Sequence, residues 1–179
     1  MIFNKTKIKD VYIIEPELKK DERGYFGRFF CKKELAKIGF NFDIAQISRS
    51  LINKKGTIKG LHFQKFPKSE DKVIQCIYGA IYDVAVDMRK DSRTYGQWVS
   101  VELTQDNKKM FLIPKGCVHG FQTLAENCEV QYFMSEFYSP EHESGAHWND
   151  AFFSIKWPIK NPTLSKKDKN WPLVEGNLK

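Results

Sequence analysis

Apolar and polar positions in this chain alternate with period two over short stretches that end in turn residues, the signature of half-buried strands. Val11-Tyr12-Ile13-Ile14 reads as a strand closed by Glu15-Pro16, and Asp21-Glu22-Arg23-Gly24 as a turn into an aromatic strand, Tyr25 to Phe30. One segment, Lys32 to Ile38, predicts a short amphipathic helix with Leu35 and Ile38 on one face and Gly39 as its left-handed cap. From Ile44 onward, strands and turns at short intervals predict an all-β sandwich or barrel.

The sharpest local signal is Gly79-Ala80, between Lys72–Tyr78 and Ile81–Met88. It predicts a type II′ hairpin that pairs Tyr78 with Ile81 and Cys76 with Asp83. Alternation then puts Lys72, Ile74 and Cys76 on one face with Asp83, Ala85 and Asp87. Trp98–Leu103 and Met110–Ile113 are expected to pair around Asp106-Asn107. His119, Phe121 and Thr123 share a face of the next strand. Val130, Tyr132 and Met134 share one on a long strand from Glu129 to Tyr138. Ser165-Lys166-Lys167-Asp168 has capping-box spacing, which by itself accounts for Asp168.

A chain of 179 residues suits one domain, 1–179, with a substantial core. It has no run of the roughly 20 apolar residues that a membrane span needs, and its start lacks the features of a signal peptide. The four cysteines, Cys31, Cys76, Cys117 and Cys128, form no C-x-x-C pair and read as reduced thiols in a cytoplasmic protein. The net charge of +7 comes from lysines spread along the chain. That favours a solvated surface, or a phosphate-bearing small ligand, over nucleic acid.

Candidate chemistry centres on Gly60-Leu61-His62-Phe63-Gln64, where an imidazole interrupts an apolar run. A lone histidine is more often a satisfied core residue, but other segments also present single titratable groups in apolar surroundings. His62 and His119 each stand alone on their strands, whereas zinc or non-haem iron needs three or more convergent donors; no metal is expected. No G-x-S-x-G elbow is present, and packing accounts for Cys76 and Cys117. A histidine, a lysine, a tyrosine and carboxylates suit proton abstraction beside a carbonyl. Imidazole titrates at about 6.5, close to working pH. The C–H is nevertheless too weak an acid unless the enolate oxygen is stabilised as it forms, and lysine is a compact cation for that task. A tyrosine on a facing strand could return the proton to the other side.

The ordered motifs Asp21-Glu22-Arg23-Gly24, Lys59-Gly60-Leu61-His62-Phe63-Gln64, Tyr82-Asp83-Val84-Ala85-Val86-Asp87, Pro114-Lys115-Gly116, His119-Gly120-Phe121, Tyr138-Ser139-Pro140, Trp148-Asn149-Asp150 and Leu164-Ser165-Lys166-Lys167-Asp168 resemble the dTDP-4-dehydrorhamnose 3,5-epimerase family. The resemblance covers nearly the whole chain. It implies a cupin-like double-stranded β-helix (jelly roll) with short peripheral helices. The implied enzyme needs no cofactor, is usually a homodimer with exchanged N-terminal strands, and inverts C3 and C5 of a nucleotide-linked 4-keto-6-deoxy sugar. By the same resemblance His62 is the base, Asp168 its orienting carboxylate, Lys72 the enolate's partner and Tyr132 the acid. His119 and Asp83 become further pocket residues. Arg23, Phe26, Gln46, Glu143 and Lys167 fall at or near nucleotide-sugar contacts, and Tyr138 falls near the base.

Four positions depart from the family pattern. Lys59 replaces a frequent arginine, turning a bidentate phosphate contact into a point charge. Ser48 stands where an asparagine often meets the diphosphate, Phe133 where a lysine is frequent, and Arg28 where some members carry an acid. The sequence therefore leaves open a C3-only epimerase, another nucleobase, a 3,4-ketoisomerase and a non-catalytic sugar-nucleotide-binding jelly roll.

Overall fold

The computed structural model of the chain describes residues 1–41 and 43–174. Among these residues, thirteen strands and two short α-helices run in the order β1 (Ile2–Lys5), β2 (Tyr12–Glu15), β3 (Lys19–Asp21), β4 (Gly24–Phe26), α1 (Lys32–Ala36), β5 (Gln46–Ile52), β6 (Ile58–Gln64), β7 (Lys72–Tyr78), β8 (Ala80–Asp87), β9 (Trp98–Thr104), β10 (Met110–Ile113), β11 (Cys117–Thr123), β12 (Cys128–Met134), β13 (Glu143–Gly145) and α2 (Lys166–Lys169). A six-stranded sheet in the order β1-β2-β10-β7-β12-β5 faces a five-stranded sheet in the order β13-β6-β11-β8-β9, and β3 pairs with β4 alone. This is the all-β, cupin-like jelly roll that the alternating pattern and the resemblance imply.

Alternation decides which side chains fill which layer. Between the sheets lie Ile74 and Cys76 of β7, Ile81 and Ala85 of β8, Phe121 of β11 and Val130 of β12. The outer face of the larger sheet carries Tyr12, Val73, Met110, Leu112 and Phe133, covered by Leu35 of α1 and by Phe40. The outer face of the smaller sheet carries Leu61, Val84, Val86 and Val118, covered by Ala146 and Phe153. Both sheets are thus apolar on both faces, because peripheral segments close over the outside.

Two expected pairings are corrected. β7 and β8 do not form a hairpin: β7 pairs with β10 and β12, and β8 with β9 and β11. Gly79, at φ +79°, turns the chain from one sheet to the other, and a Cβ there would stand 2.8 Å from Cys128 Sγ. Likewise β9 and β10 lie in different sheets. The face assignment survives both corrections, since a strand that crosses a sandwich keeps its inward side chains inward. Lys72 and Asp83 therefore meet across the interior rather than along a hairpin. The strand expected from Glu129 to Tyr138 ends at Met134, and the aromatic strand ends at Phe26.

Candidate active site

The site is built from the inward rows at one end of the sandwich, beginning with β6. Its pairing with β11 shifts register between His119 and Phe121. Gly60 occupies that irregularity at φ +133°, where a Cβ would lie 2.5 Å from the Cα of Gly120. Only glycine tolerates both the backbone angle and the approach. Regular alternation would send Lys59 and His62, three residues apart, to opposite faces. The bulge lets both point inward: Lys59 Nζ donates to Ser50 Oγ of the facing sheet at 2.6 Å, and His62 lines a cleft.

His62 Nε2 meets Asp168 Oδ1 at 2.5 Å. Asp168 is buried at the start of α2, where Ser165 Oγ accepts from its backbone N–H at 3.0 Å and donates to its Oδ2 at 2.8 Å. The capping box and the carboxylate partner are therefore one structure. Burial opposes ionisation of Asp168, but hydrogen bonds from His62, Ser165 and the Gly60 backbone outweigh it and hold its pKa below the ordinary value. With Nε2 engaged, Nδ1 is the ring nitrogen free to take a proton. Trp171 packs edge-on against the imidazole, with ring centroids 5.8 Å apart. It fits because Gly145, paired with His62 on β13, has no Cβ, which would stand 2.5 Å from the indole.

Facing His62 across the cleft are Lys72 of β7 and Tyr132 of β12. Lys72 is buried and joined to the equally buried Glu70, Nζ to Oε1 at 2.7 Å. Gln64 Nε2 donates to the other Glu70 oxygen at 3.0 Å, so the ammonium is aimed by a fixed carboxylate. His119 Nε2 pairs with Asp83 Oδ1 at 2.5 Å, leaving Asp83 Oδ2 buried without a hydrogen bond. Burial raises the pKa of Asp83 despite His119 and Lys72 nearby. The Tyr132 hydroxyl is also raised, first by burial and then by the Asp83 charge, so it is held as a protonated donor.

The cleft has a volume of about 220 Å³, enough for a sugar ring, and Tyr138 and Glu143 stand at its rim. Tyr138 donates to Glu143 Oε2 at 2.7 Å, and Lys167 pairs with Oε1. Gln46 Oε1 accepts from the Tyr138 backbone N–H at 2.9 Å, and Ser48 lies opposite Tyr132 on the neighbouring strand. Among the described residues, no group of three or more His, Cys, Asp or Glu side chains is placed to hold a metal ion. Burial pushes the thiols of Cys76 and Cys117 up to about 12, which suits packing rather than nucleophilic attack.

The sequence profile of the dTDP-4-dehydrorhamnose 3,5-epimerase family matches residues 5–176. This chain belongs to that family. The dTDP-4-dehydrorhamnose 3,5-epimerase of Methanothermobacter thermautotrophicus is 42% identical over 97% of this chain and 95% of its own. The crystal structure of the Bacillus anthracis epimerase, with TDP and pyrophosphate bound, superposes with a TM-score of 0.94 at 44% identity, covering 97% of this chain and 99% of that one. The Legionella pneumophila epimerase in complex with dTDP-4-keto-L-rhamnose gives a TM-score of 0.91 at 37% identity, covering 96% and 92%.

Of the residues singled out in the sequence, the epimerase cleft gathers His62, Lys72, His119, Tyr132, Tyr138 and Glu143. Asp168, Asp83 and Lys167 stand directly behind them. Arg23 and Phe26 lie apart, exposed on the β3–β4 hairpin, with Phe26 at 74% exposure. Glu70, Ser50 and Trp171 were missed. Ser50 had a readable signal, because it continues the inward row Gln46, Ser48; Glu70 and Trp171 sit outside regular strands and had none.

Proposed function

We propose that this chain inverts C3 and C5 of a dTDP-linked 4-keto-6-deoxy sugar without a cofactor. One observation carries the reading: His62, Lys72 and Tyr132, from opposed sheets, line the same sugar-sized cleft, with a buried carboxylate on the histidine. Family membership supports the same substrate class.

In this mechanism Nδ1 of His62 removes the proton beside the carbonyl, and Asp168 stabilises the imidazolium that forms. The electron pair moves onto the C4 oxygen, where the Lys72 ammonium meets the developing charge. A donor of this kind in a water-poor site is worth about 3 kcal/mol or more. Tyr132 then delivers its proton to the opposite face of the ring carbon, and the C4 carbonyl re-forms. Once His62 has released its proton to solvent and Tyr132 has regained one, a second cycle at the other carbon inverts both centres. His119 and Asp83 line the enolate side, while Lys59, Ser48, Gln46, Lys167, Glu143 and Tyr138 serve the nucleotide sugar at the rim.

The exposed positions of Arg23 and Phe26 are accounted for if the protein is a homodimer whose N-terminal hairpin reaches the partner's cleft. The enzyme would act in the cytoplasm on a surface-sugar route. Incubation with dTDP-4-keto-6-deoxyglucose and proton NMR of the product tests the assignment. Inversion at both carbons is expected. Inversion at C3 alone would restrict the activity, carbonyl migration to C3 would make the protein a ketoisomerase, and saturable binding with unchanged sugar would make it a binding module.

A further inference from the structure

Tyr132 gives up a proton in each inversion, and the structure holds a route by which it can be recharged. On β5 the inward row runs Gln46, Ser48, Ser50. Tyr132 pairs directly with Ser48, so Ser50 is its diagonal neighbour on the same face, within reach of a long side chain. The Ser50 hydroxyl thus lies beside the phenol, where it favours the ionised form of Tyr132. From the opposite sheet, Lys59 Nζ donates to the same Ser50 oxygen at 2.6 Å. The bulge at Gly60 is what turns Lys59 inward to make that contact.

We infer that Lys59 and Ser50 form a proton-supply relay to the Tyr132 hydroxyl, an inference that rests on the epimerase reading above. As the tyrosine O–H bond breaks and the new C–H bond forms, a phenolate is left facing Asp83. The Ser50 hydroxyl passes its proton to the phenolate oxygen while a Lys59 N–H proton moves to Ser50 Oγ. The resulting neutral amine, only partly buried, takes a proton from solvent and restores the starting state. Both residues act through Tyr132 and are positioning residues for the acid half of the cycle.

Two features favour this arrangement. A phenolate beside a buried carboxylate is costly, and a cation joined to it through one hydroxyl offsets that cost. Burial lowers the pKa of Lys59, against a smaller opposing pull from Asp168, so its ammonium releases a proton more readily than a surface lysine does. The same lysine reads from the resemblance as a phosphate contact, and the two roles make different demands.

The test compares the wild-type protein with Ser50→Ala, Ser50→Thr and Lys59→Met. In heavy water, proton NMR follows deuterium entry and net inversion of dTDP-4-keto-6-deoxyglucose, and calorimetry measures dTDP binding. The relay predicts that Ser50→Ala lowers kcat for inversion by about tenfold or more, while KM, dTDP affinity and deuterium entry on the His62 face are retained. Ser50→Thr, which keeps a hydroxyl, restores inversion, and Lys59→Met lowers the inversion-to-exchange ratio as Ser50→Ala does. Wild-type kcat in Ser50→Ala, or weaker dTDP binding in both variants at an unchanged ratio, would overturn the relay alone. A wild-type protein that neither exchanges nor inverts would overturn the epimerase reading, and the relay with it.

Discussion

His62 Nε2 and Asp168 Oδ1 stand 2.5 Å apart, although 106 positions separate them in the chain. The contact joins the second strand of the smaller jelly-roll sheet to a four-residue helix near the end of the described chain. It fixes which imidazole nitrogen is free, so replacing the carboxylate should damage catalysis more than folding. Asp168→Asn is expected to lower kcat by about 10² or more with dTDP affinity retained. Ser165→Ala, which removes the cap and one bond to the carboxylate, should cost about 1 kcal/mol of stability and a smaller part of kcat. Steady-state kinetics and thermal denaturation distinguish the two.

Glu70 aims the Lys72 ammonium, so neutralising it leaves a buried cation without its partner. Glu70→Gln should lower kcat and cost roughly 1–3 kcal/mol of stability, with little change in the binding of dTDP, which lacks the 4-keto hexose that meets Lys72. Kinetics with calorimetric dTDP titration checks this; an unchanged kcat would remove Glu70 from the site.

Tyr132→Phe keeps the ring and removes the proton. Deuterium entry on the His62 face should persist, while net inversion falls by about 10²–10⁴. Normal inversion in this variant would require another donor.

Asp87 anchors the turn after β8: it accepts from Arg89 Nε at 2.9 Å, and from Ser92 and Thr94 hydroxyls at 2.6 Å each. Burial works against its charge, but these bonds prevail and hold its pKa well below the ordinary carboxylate range. For a carboxylate depressed on folding, the stabilisation is complete above the unfolded value of about 3.9 and fades as pH falls through the lower folded value. Asp87→Asn should therefore cost about 1.5–3 kcal/mol near neutrality, and the gap from wild type should shrink in strong acid. Denaturant melts across pH measure it. A gap that widens on acidification would contradict the assigned charge state.

Which faces turn inward was legible because alternation is local: Lys72, Asp83, His119 and Tyr132 all stand on the rows expected from period two. Strand partners were not legible. Gly79 announces a reversal but carries no information about which sheet the chain enters, and the true neighbours of β7 are Met110–Ile113 and Cys128–Met134, far along the chain. The bulge at Gly60 was hidden for a similar reason, since its cause is the approach of Gly120 from another strand. Asp168 shows the opposite case: its capping spacing was read correctly, and the same short helix presents its carboxylate to His62.

The central claim is that an imidazole and a phenol work on opposite faces of one sugar carbon. Its most direct measurement is deuterium entry at C3 and C5 of dTDP-4-keto-6-deoxyglucose in heavy water, comparing wild type with His62→Ala. The account predicts rapid entry at the inverted carbons in wild type and none above the uncatalysed rate in His62→Ala, with dTDP binding intact. Exchange at the wild-type rate in His62→Ala would contradict it.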